Sequence, residues 1–592
     1  MNSLSRITFA ITCFSCLTAG YAAEPERLRQ PRLRRPIAMV CEARLLFIAN
    51  RASGSVSVFD LNARRIVGEL ELGGFLSDMT SIPRSNLLLA TNESRHEIVV
   101  LQYHGAKVSV KQRLRVPHSP VSVRVTADGK RCSVASLWSR RLTLLEFDAD
   151  GALRVGKIID LPFAPRLQEF NTKGDWLYVA DSFAGRLGVV DFEKGELQSV
   201  HTFDGHNIRG LAVSTGGDEL MIAHQRLSNF TSTTRSRVFW GTLMGNAVIS
   251  VALDDLQQPT RNDKQTAGEK RIAHWSLFPL GEPNNGAGDP GAILSASSGQ
   301  MVVCLSGVDE IGFVRSVPNP LRRVKVGRLP TALATDNDCR TLYVANTLDD
   351  SISMIDMATA NLEGTIELGP QAELTAAEMG ERLFSDARLS LHGWLSCHSC
   401  HTDGHTNGQL NDNLGDDGFG APKRVLSLLG TGETTPWAWK GSQELLAAQI
   451  HKSIDSTMQG KETGRLNNKN VEALQAFVRT LAPPPSLNVA RGKTDHAAVR
   501  RGRDLFYKHS CSNCHFPPKY TSTSVFDVGI HDEVGQKEFN PPSLLGVSQR
   551  GPYFHDGRAK QLRDVFDEFN HPNDLEFDAD ALDDLMEFLQ SL

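Results

Sequence analysis

From about residue 36 to 370 the chain alternates apolar and polar positions in short runs bounded by turn residues. That pattern predicts antiparallel strands with one buried face. The clearest copies are 45–60 (LLFIANRASGSVSVFD), 86–102 (NLLLATNESRHEIVVLQ), 131–147 (RCSVASLWSRRLTLLEF), 176–192 (WLYVADSFAGRLGVVDF) and 341–356 (TLYVANTLDDSISMID). Each joins an apolar strand, a polar turn and a second alternating strand. The first four start 41 to 45 residues apart. A period of about 40–45 residues with about four strands per unit predicts propeller blades. Weaker copies begin at Glu219 and Met301, which makes about seven blades. A closed ring of small sheets leaves only short, protected edges. The stretch 225–299 breaks the rhythm. It is rich in Asn, Thr, Gly and Pro, contains Trp240 and Trp275, and is expected to be a long insertion from one blade.

After Pro370 the period changes to that of helices. Apolar residues recur at helical spacing in 373–384, 443–454 and 471–481. Pro483, Pro484 and Pro485 then mark a linker. A further helix starts at His496, and 579–592 is amphipathic to the end. The chain is therefore multidomain, an all-β propeller followed by an all-α region.

A length of 592 residues excludes a single small domain. Lys and Arg (63) nearly balance Asp and Glu (68), so nothing points to nucleic acid or an anionic membrane as partner. The first 23 residues read as an export signal. Arg6 is followed by an apolar run too short to span a bilayer, then by Ala19, Gly20, Ala22 and Ala23. The expected location is the periplasm, with no transmembrane segment in the mature chain. Of ten cysteines, Cys13 and Cys16 fall in that signal. Cys41, Cys132, Cys304 and Cys339 are scattered and read as small apolar strand residues. One disulfide among them is compatible with an oxidising compartment, and the sequence does not assign it.

The remaining four cysteines form Cys397-His398-Ser399-Cys400-His401 and Cys511-Ser512-Asn513-Cys514-His515. Two thiols three positions apart on one helical turn can each bond a haem vinyl group, and the next histidine then lies under the iron. A zinc or redox C-x-x-C pair leaves both trailing histidines unexplained. The flanks repeat as well. SLLG and the following P-x-x-x-x-G recur at an offset of 116 residues, the haem motifs at 114, and Gly380-x-x-Leu383-Phe384 matches Gly502-x-x-Leu505-Phe506. The region thus reads as two cytochrome c lobes in tandem, 373–482 and 495–592, with two covalently bound haem c groups.

Residues 373–592 resemble the bacterial dihaem cytochrome c peroxidase/MauG family, through RLFSDARLS, WKG and NPPSLLGVSQRGPYFHDGRAKQL. The cores TLYVAN and WLYVAD resemble YVTN-type propeller repeats, which speaks to fold and not to function. The resemblance implies a peroxidase-like oxidoreductase, with hydrogen peroxide reduced at haem 1 (His401). Electrons would enter at haem 2 (His515) from a small redox protein or a quinol-chain donor, with Trp439 between the haems. It also implies a calcium ion between the lobes, whose ligands this sequence does not assign. Where the family has a distal glutamate, counting from Trp439 gives Gln459, an amide that accepts and donates hydrogen bonds but does not shuttle a proton. The region that carries a removable distal histidine in the peroxidases, 413–420, holds none, so haem 1 is expected to be open. His405 is expected on the proximal side and His398 in solvent. At haem 2 the family's distal position falls on Phe569, and His571 is expected to replace it as iron ligand. His555 is expected near the haem edge, hydrogen-bonded there. Two other readings compete: an electron carrier with both haems capped, docked through its propeller, and a propeller that itself recognises the substrate.

Overall fold

The computed structural model describes residues 31–257, 269–296, 299–314, 321–414, 418–572 and 575–592. The expected signal segment 1–23 lies outside them.

Seven four-stranded antiparallel blades make up the N-terminal region. Their innermost strands begin at Pro36, Leu76, Pro120, Pro165, near Gly210, Pro290 and Pro330, and each packs beside the next around a ring. The hairpins legible in sequence are the second and third strands of each blade. These are covered on both faces, as in Leu45–Asn50, where every residue is buried. The fourth strands face solvent, as in Lys107–Arg115, where polar residues dominate. One long strand, Glu196–Val213, serves two blades: its first half closes blade 4 and its second half opens blade 5.

The ring closes between blades 1 and 7 without strand exchange. The Arg34 and Arg35 N–H groups donate to the two oxygens of Asp350, at 3.0 and 2.7 Å. The fully buried Arg34 guanidinium pairs with Glu69 at 3.2 Å. A charge buried there is stable because it is paired and hydrogen-bonded.

The expected insertion at 225–299 is shorter than the pattern implied. Met244–Ala252 and Ser276–Pro279 are the third and fourth strands of blade 5, and Pro290–Ser295 opens blade 6. Gly245 and Asn246 at the head of the third strand weakened the alternation that signals a strand. What departs from the blade plan is an excursion at 228–243, carrying the short helix Arg235–Phe239, and the stretch after Ala252.

The C-terminal region has two similar lobes. In the first, helix Ala376–Phe384 starts on a Thr375/Glu378 capping box and crosses helix Asn468–Thr480. In the second, His496–Lys508 crosses Ala579–Leu589. The repeated glycines explain themselves here. A Cβ on Gly380 would sit 2.0 Å from Ala473 O, and one on Gly502 1.9 Å from Asp584 O, so only glycine admits the crossing. After the three prolines, helix Leu487–Arg491 docks on blade 3, where Arg491 Nε donates to Ser139 O at 2.9 Å. Both lobes sit on the propeller face formed by the second-to-third-strand turns and the interblade loops. No helix among the described residues is long and apolar enough to cross a membrane.

Candidate haem sites

Cys397–Cys400 is a single helical turn capped by Ser396. The propeller builds its socket. Buried Asp289 accepts from the Ser399 hydroxyl at 2.8 Å, His206 Nε2 donates to Ser399 O at 3.0 Å, and Asn246 donates to Trp394 O at 3.0 Å. His398 is not in solvent as expected. Its ring lies between Asp289 (3.7 Å) and Asp403 (3.3 Å), because the two residues between the cysteines face the propeller. Burial opposes the charge on His398, but the two carboxylates outweigh it and hold its pKa above the ordinary value. Burial likewise opposes the charge on Asp403, yet Arg166 and Arg209 hold that carboxyl well below its usual range.

His401 has the form of an iron ligand. Its Nδ1 donates to Leu426 O at 2.9 Å, which fixes the tautomer and leaves Nε2 with a lone pair. Burial pushes its pKa down to about 4, so the ring stays neutral. It faces a cavity whose walls include Phe384, Trp437, Trp439, Gln449 and Met458. The cavity fits a haem by its charges as well. Arg424 and Arg550 line it, are 5% and 7% exposed, and neither pairs with a carboxylate among the described residues. They donate only to backbone carbonyls, and Arg550 Nε has no partner. Burial pushes both guanidinium pKa values down to about 10. A buried cation without a counter-charge is costly, and the propionates of a haem would supply the missing charge.

The expected distal residue, Gln459, does not line this cavity. Its amide donates to Thr233 O of the propeller at 2.9 Å and to Ser456 O at 2.5 Å. The residue turns away with φ of +53°. Glu462, the nearest carboxylate along the chain, does not line the cavity either and pairs with Arg235 at 2.6 Å. Gln449 is the polar group the sequence reading missed. It lines the cavity, donates to Ser453 Oγ at 3.0 Å, and has a buried Oε1 without a partner. The available signal was a lone polar side chain on the apolar face of LLAAQI. No carboxylate of the described residues lines the cavity. His405 is spent structurally: Nδ1 meets Ser427 Oγ, Nε2 meets Gln549 O, both at 2.9 Å, and Trp138 and Phe183 pack on its ring.

In the second lobe, Cys511, Cys514 and His515 repeat the arrangement more openly. His515 Nδ1 donates to Tyr520 O at 3.2 Å, and burial pushes its pKa down to about 4, with a smaller contribution from nearby His571. The Nδ1 of His571 is buried without a partner, and its ring packs edge-on against Phe554. His555 is 1% exposed and has no hydrogen bond at either ring nitrogen, contrary to expectation. It stacks on Phe539 at 4.4 Å and meets Trp439 edge-on at 6.4 Å. Trp439 therefore sits at the junction of the lobes. Its indole donates to Arg424 O at 2.8 Å, and Asn540 of the second lobe donates to its carbonyl at 2.7 Å. No group of three or more His, Cys, Asp or Glu residues able to hold a metal ion occurs among the described residues.

A fold of two cytochrome-like lobes with these two motifs defines a class, and residues 375–482 match the family described as di-haem cytochrome c peroxidase. The C-terminal region is thus similar to the dihaem cytochrome c peroxidase and MauG proteins, oxidoreductases with haem c cofactors, and is joined here to an N-terminal propeller. Hydrazine synthase subunit gamma of Kuenenia stuttgartiensis is 28% identical over 275 residues, covering 36% of this chain and 76% of that protein. Methylamine utilization protein MauG of Methylorubrum extorquens is 27% identical over 238 residues, covering 32% and 67%. Cytochrome c551 peroxidase of Nitrosomonas europaea is 24% identical over 265 residues, covering 36% and 79%. Among solved structures, a chain of Kuenenia stuttgartiensis hydrazine synthase matches with a TM-score of 0.48 and 16% identity, over 58% of this chain and 99% of that one.

Proposed function

We propose that this protein is an exported dihaem c-type cytochrome that reduces peroxide at haem 1 and takes electrons in through haem 2. Cys397 and Cys400 bind the first haem and Cys511 and Cys514 the second. His401 and His515 are the proximal ligands, and His571 is the second ligand of haem 2. A bound haem supplies one-electron chemistry and, where its iron keeps a free face, the reduction of peroxide. The observation that carries the reading is the cavity in front of His401, where no second histidine stands among the described residues.

The chain's own groups limit the chemistry at that cavity. Gln449 Oε1 accepts a hydrogen bond from a ligand O–H, but an amide does not hand over a proton as a carboxyl does. With no acid at the wall, peroxide turnover is expected to be slow. Trp439 bridges the lobes by contact with Arg424 and His555, which suits electron passage between the two sites. The donor proposed is a small redox protein or a quinol-chain component; for the calcium ion expected between the lobes, the described residues offer no cluster of carboxylates that would hold it.

Met458 favours a second reading. It lines the same cavity, and a thioether can ligate a haem iron, which would make the protein a pure electron carrier. Electron paramagnetic resonance of the loaded protein decides between them. One high-spin and one low-spin signal, with carbon monoxide bound on reduction, supports the peroxidase reading. Two low-spin signals and no carbon monoxide binding favours the carrier.

A further inference from the structure

Most blades turn from second to third strand in a few residues, but blade 5 uses 228–243. This excursion reaches over the first cytochrome lobe. Ser232 forms a parallel bridge with Asp412, its hydroxyl donates to Asp412 Oδ2 at 2.6 Å, and the Thr233 N–H donates to Asp412 O at 2.9 Å. The carbonyl of the same Thr233 accepts the Gln459 amide. Two successive residues of the propeller thus hold two separate stretches of the cytochrome, 410–413 and 453–463. Both stretches form cavity wall: Asn411 and Asn413 come from one, and Ser453, Thr457 and Met458 from the other.

The excursion is firmly seated. Leu227, Val238, Leu243 and Met244 lie in one apolar cluster with Leu395, Ile454 and Met458. Gly241 lies flat against Trp394, where a Cβ would come within 2.3 Å of the indole. The Thr233 side chain is fully buried. An anchored strap can fix what it holds, because ordering it costs nothing further when the site is used.

We propose that this strap is a positioning element of the haem 1 site: it sets the separation of the walls 410–413 and 453–463, and hence the approach to the face opposite His401. The proposal rests on the reading that haem 1 is the open site. No strap residue lines the cavity, so the strap acts through Asp412 and Gln459 and through the apolar cluster it shares with Ile454 and Met458. The hydrogen bond to the Asp412 carboxylate is charge-assisted and is the stronger tie. The Arg235–Glu462 pair, with both side chains more than half exposed, contributes little.

The test uses the full-length, haem-loaded protein. The double variant Ser232→Ala with Gln459→Ala removes the two side-chain ties and leaves the Thr233 N–H bond to Asp412 O and the apolar anchor in place. A second variant replaces 229–242 by Asn-Gly, a turn that closes a two-residue hairpin. Arg235→Ala serves as the comparison. Hydrogen exchange of 453–463, followed by mass spectrometry, and the carbon monoxide association rate of the reduced protein are the readouts. Losing hydrogen bonds of this kind is expected to speed exchange in 453–463 of the double variant about tenfold or more. Carbon monoxide association is expected to speed up in the same protein and to stay unchanged in Arg235→Ala. Exchange and association both at wild-type values in the double variant would overturn the proposal. A wild-type protein that binds no carbon monoxide would overturn the open-haem reading instead, and the exchange data alone would then decide the strap.

Discussion

In the first haem motif the residues between the cysteines, His398 and Ser399, face the propeller and are held by Asp289, Asp403, His206 and Gln225. In the second, Ser512 is half-buried, Asn513 is exposed, and Phe516 just beyond is 67% exposed. The five-residue motif is the same, and so is the N–H···O=C bond behind each proximal histidine. The surroundings differ because the propeller covers only one of the two lobes' haem turns. The two turns repeat one pattern, and contact with the propeller makes their surroundings unequal. An enclosed site suits chemistry that excludes water, whereas an exposed one suits exchange of electrons with a partner. That contrast is the physical basis for proposing peroxide reduction at the first site and electron entry at the second.

The contrast can be broken at its largest scale by removing one haem. Cys511→Ala with Cys514→Ala is expected to lower the mass of the matured protein by one haem and leave the other in place. A loss of both would show that the lobes do not load independently. Next in size is the proton. Gln449→Glu places an acid at the wall of the first cavity, and general acid–base help is worth roughly 100- to 10,000-fold. Peroxide turnover should rise within that range, while Gln459→Glu, outside the cavity, should not reproduce it. Equal gains from both variants would mean that the 453–463 loop rearranges when the haem is bound. Smaller again is the ligand change at haem 2. His571→Ala should convert one low-spin resonance signal to high-spin, and an unaltered spectrum would exclude His571 as a ligand.

The sequence made the central strands and the haem motifs legible because both carry strong, local signals. Strands such as Leu45–Asn50 and Trp176–Asp181 are apolar and covered on both sides. The inner strands were less visible, since most of them start on proline and mix polar or charged residues with apolar ones, as Arg166, Gln168 and Glu169 do in Pro165–Phe170. At the site, what the sequence made legible was the repeated motif and its spacing. His401 and His515 each turn Nδ1 to a backbone carbonyl, and Trp439 stands where the lobes meet. Gln459 failed because a count from Trp439 fixes a position along the chain, and not the direction of a side chain that the propeller captures. The burial of His398 was hidden for a related reason: Asp289, its partner, lies 109 residues away in another domain. Contacts of that range leave no periodic trace.

The smallest effect concerns pH and bears directly on the difference between the motifs. The folded pKa of His398 is raised, so its stabilisation is complete below the unfolded value of 6.5 and fades as pH rises through the folded value. The buried histidines pull the other way. Burial lowers His206 and His405 to about 3 and His224 and His555 to about 4, so their contribution is lost as pH falls below the unfolded value. Above it they are neutral in both states and add no slope. Buried Cys132 is raised to about 12 and destabilises the fold only when the unfolded thiol ionises, near 9.0. Between about pH 6.5 and pH 8 the downward slope of stability should therefore come chiefly from His398. His398→Ser gives the first motif the residue found at the matching place in the second, Ser512. Thermal unfolding of the loaded variant should show a flatter pH dependence across that window. A slope as steep as that of the wild type would place the titrating group elsewhere and remove one of the features that set the two haem turns apart.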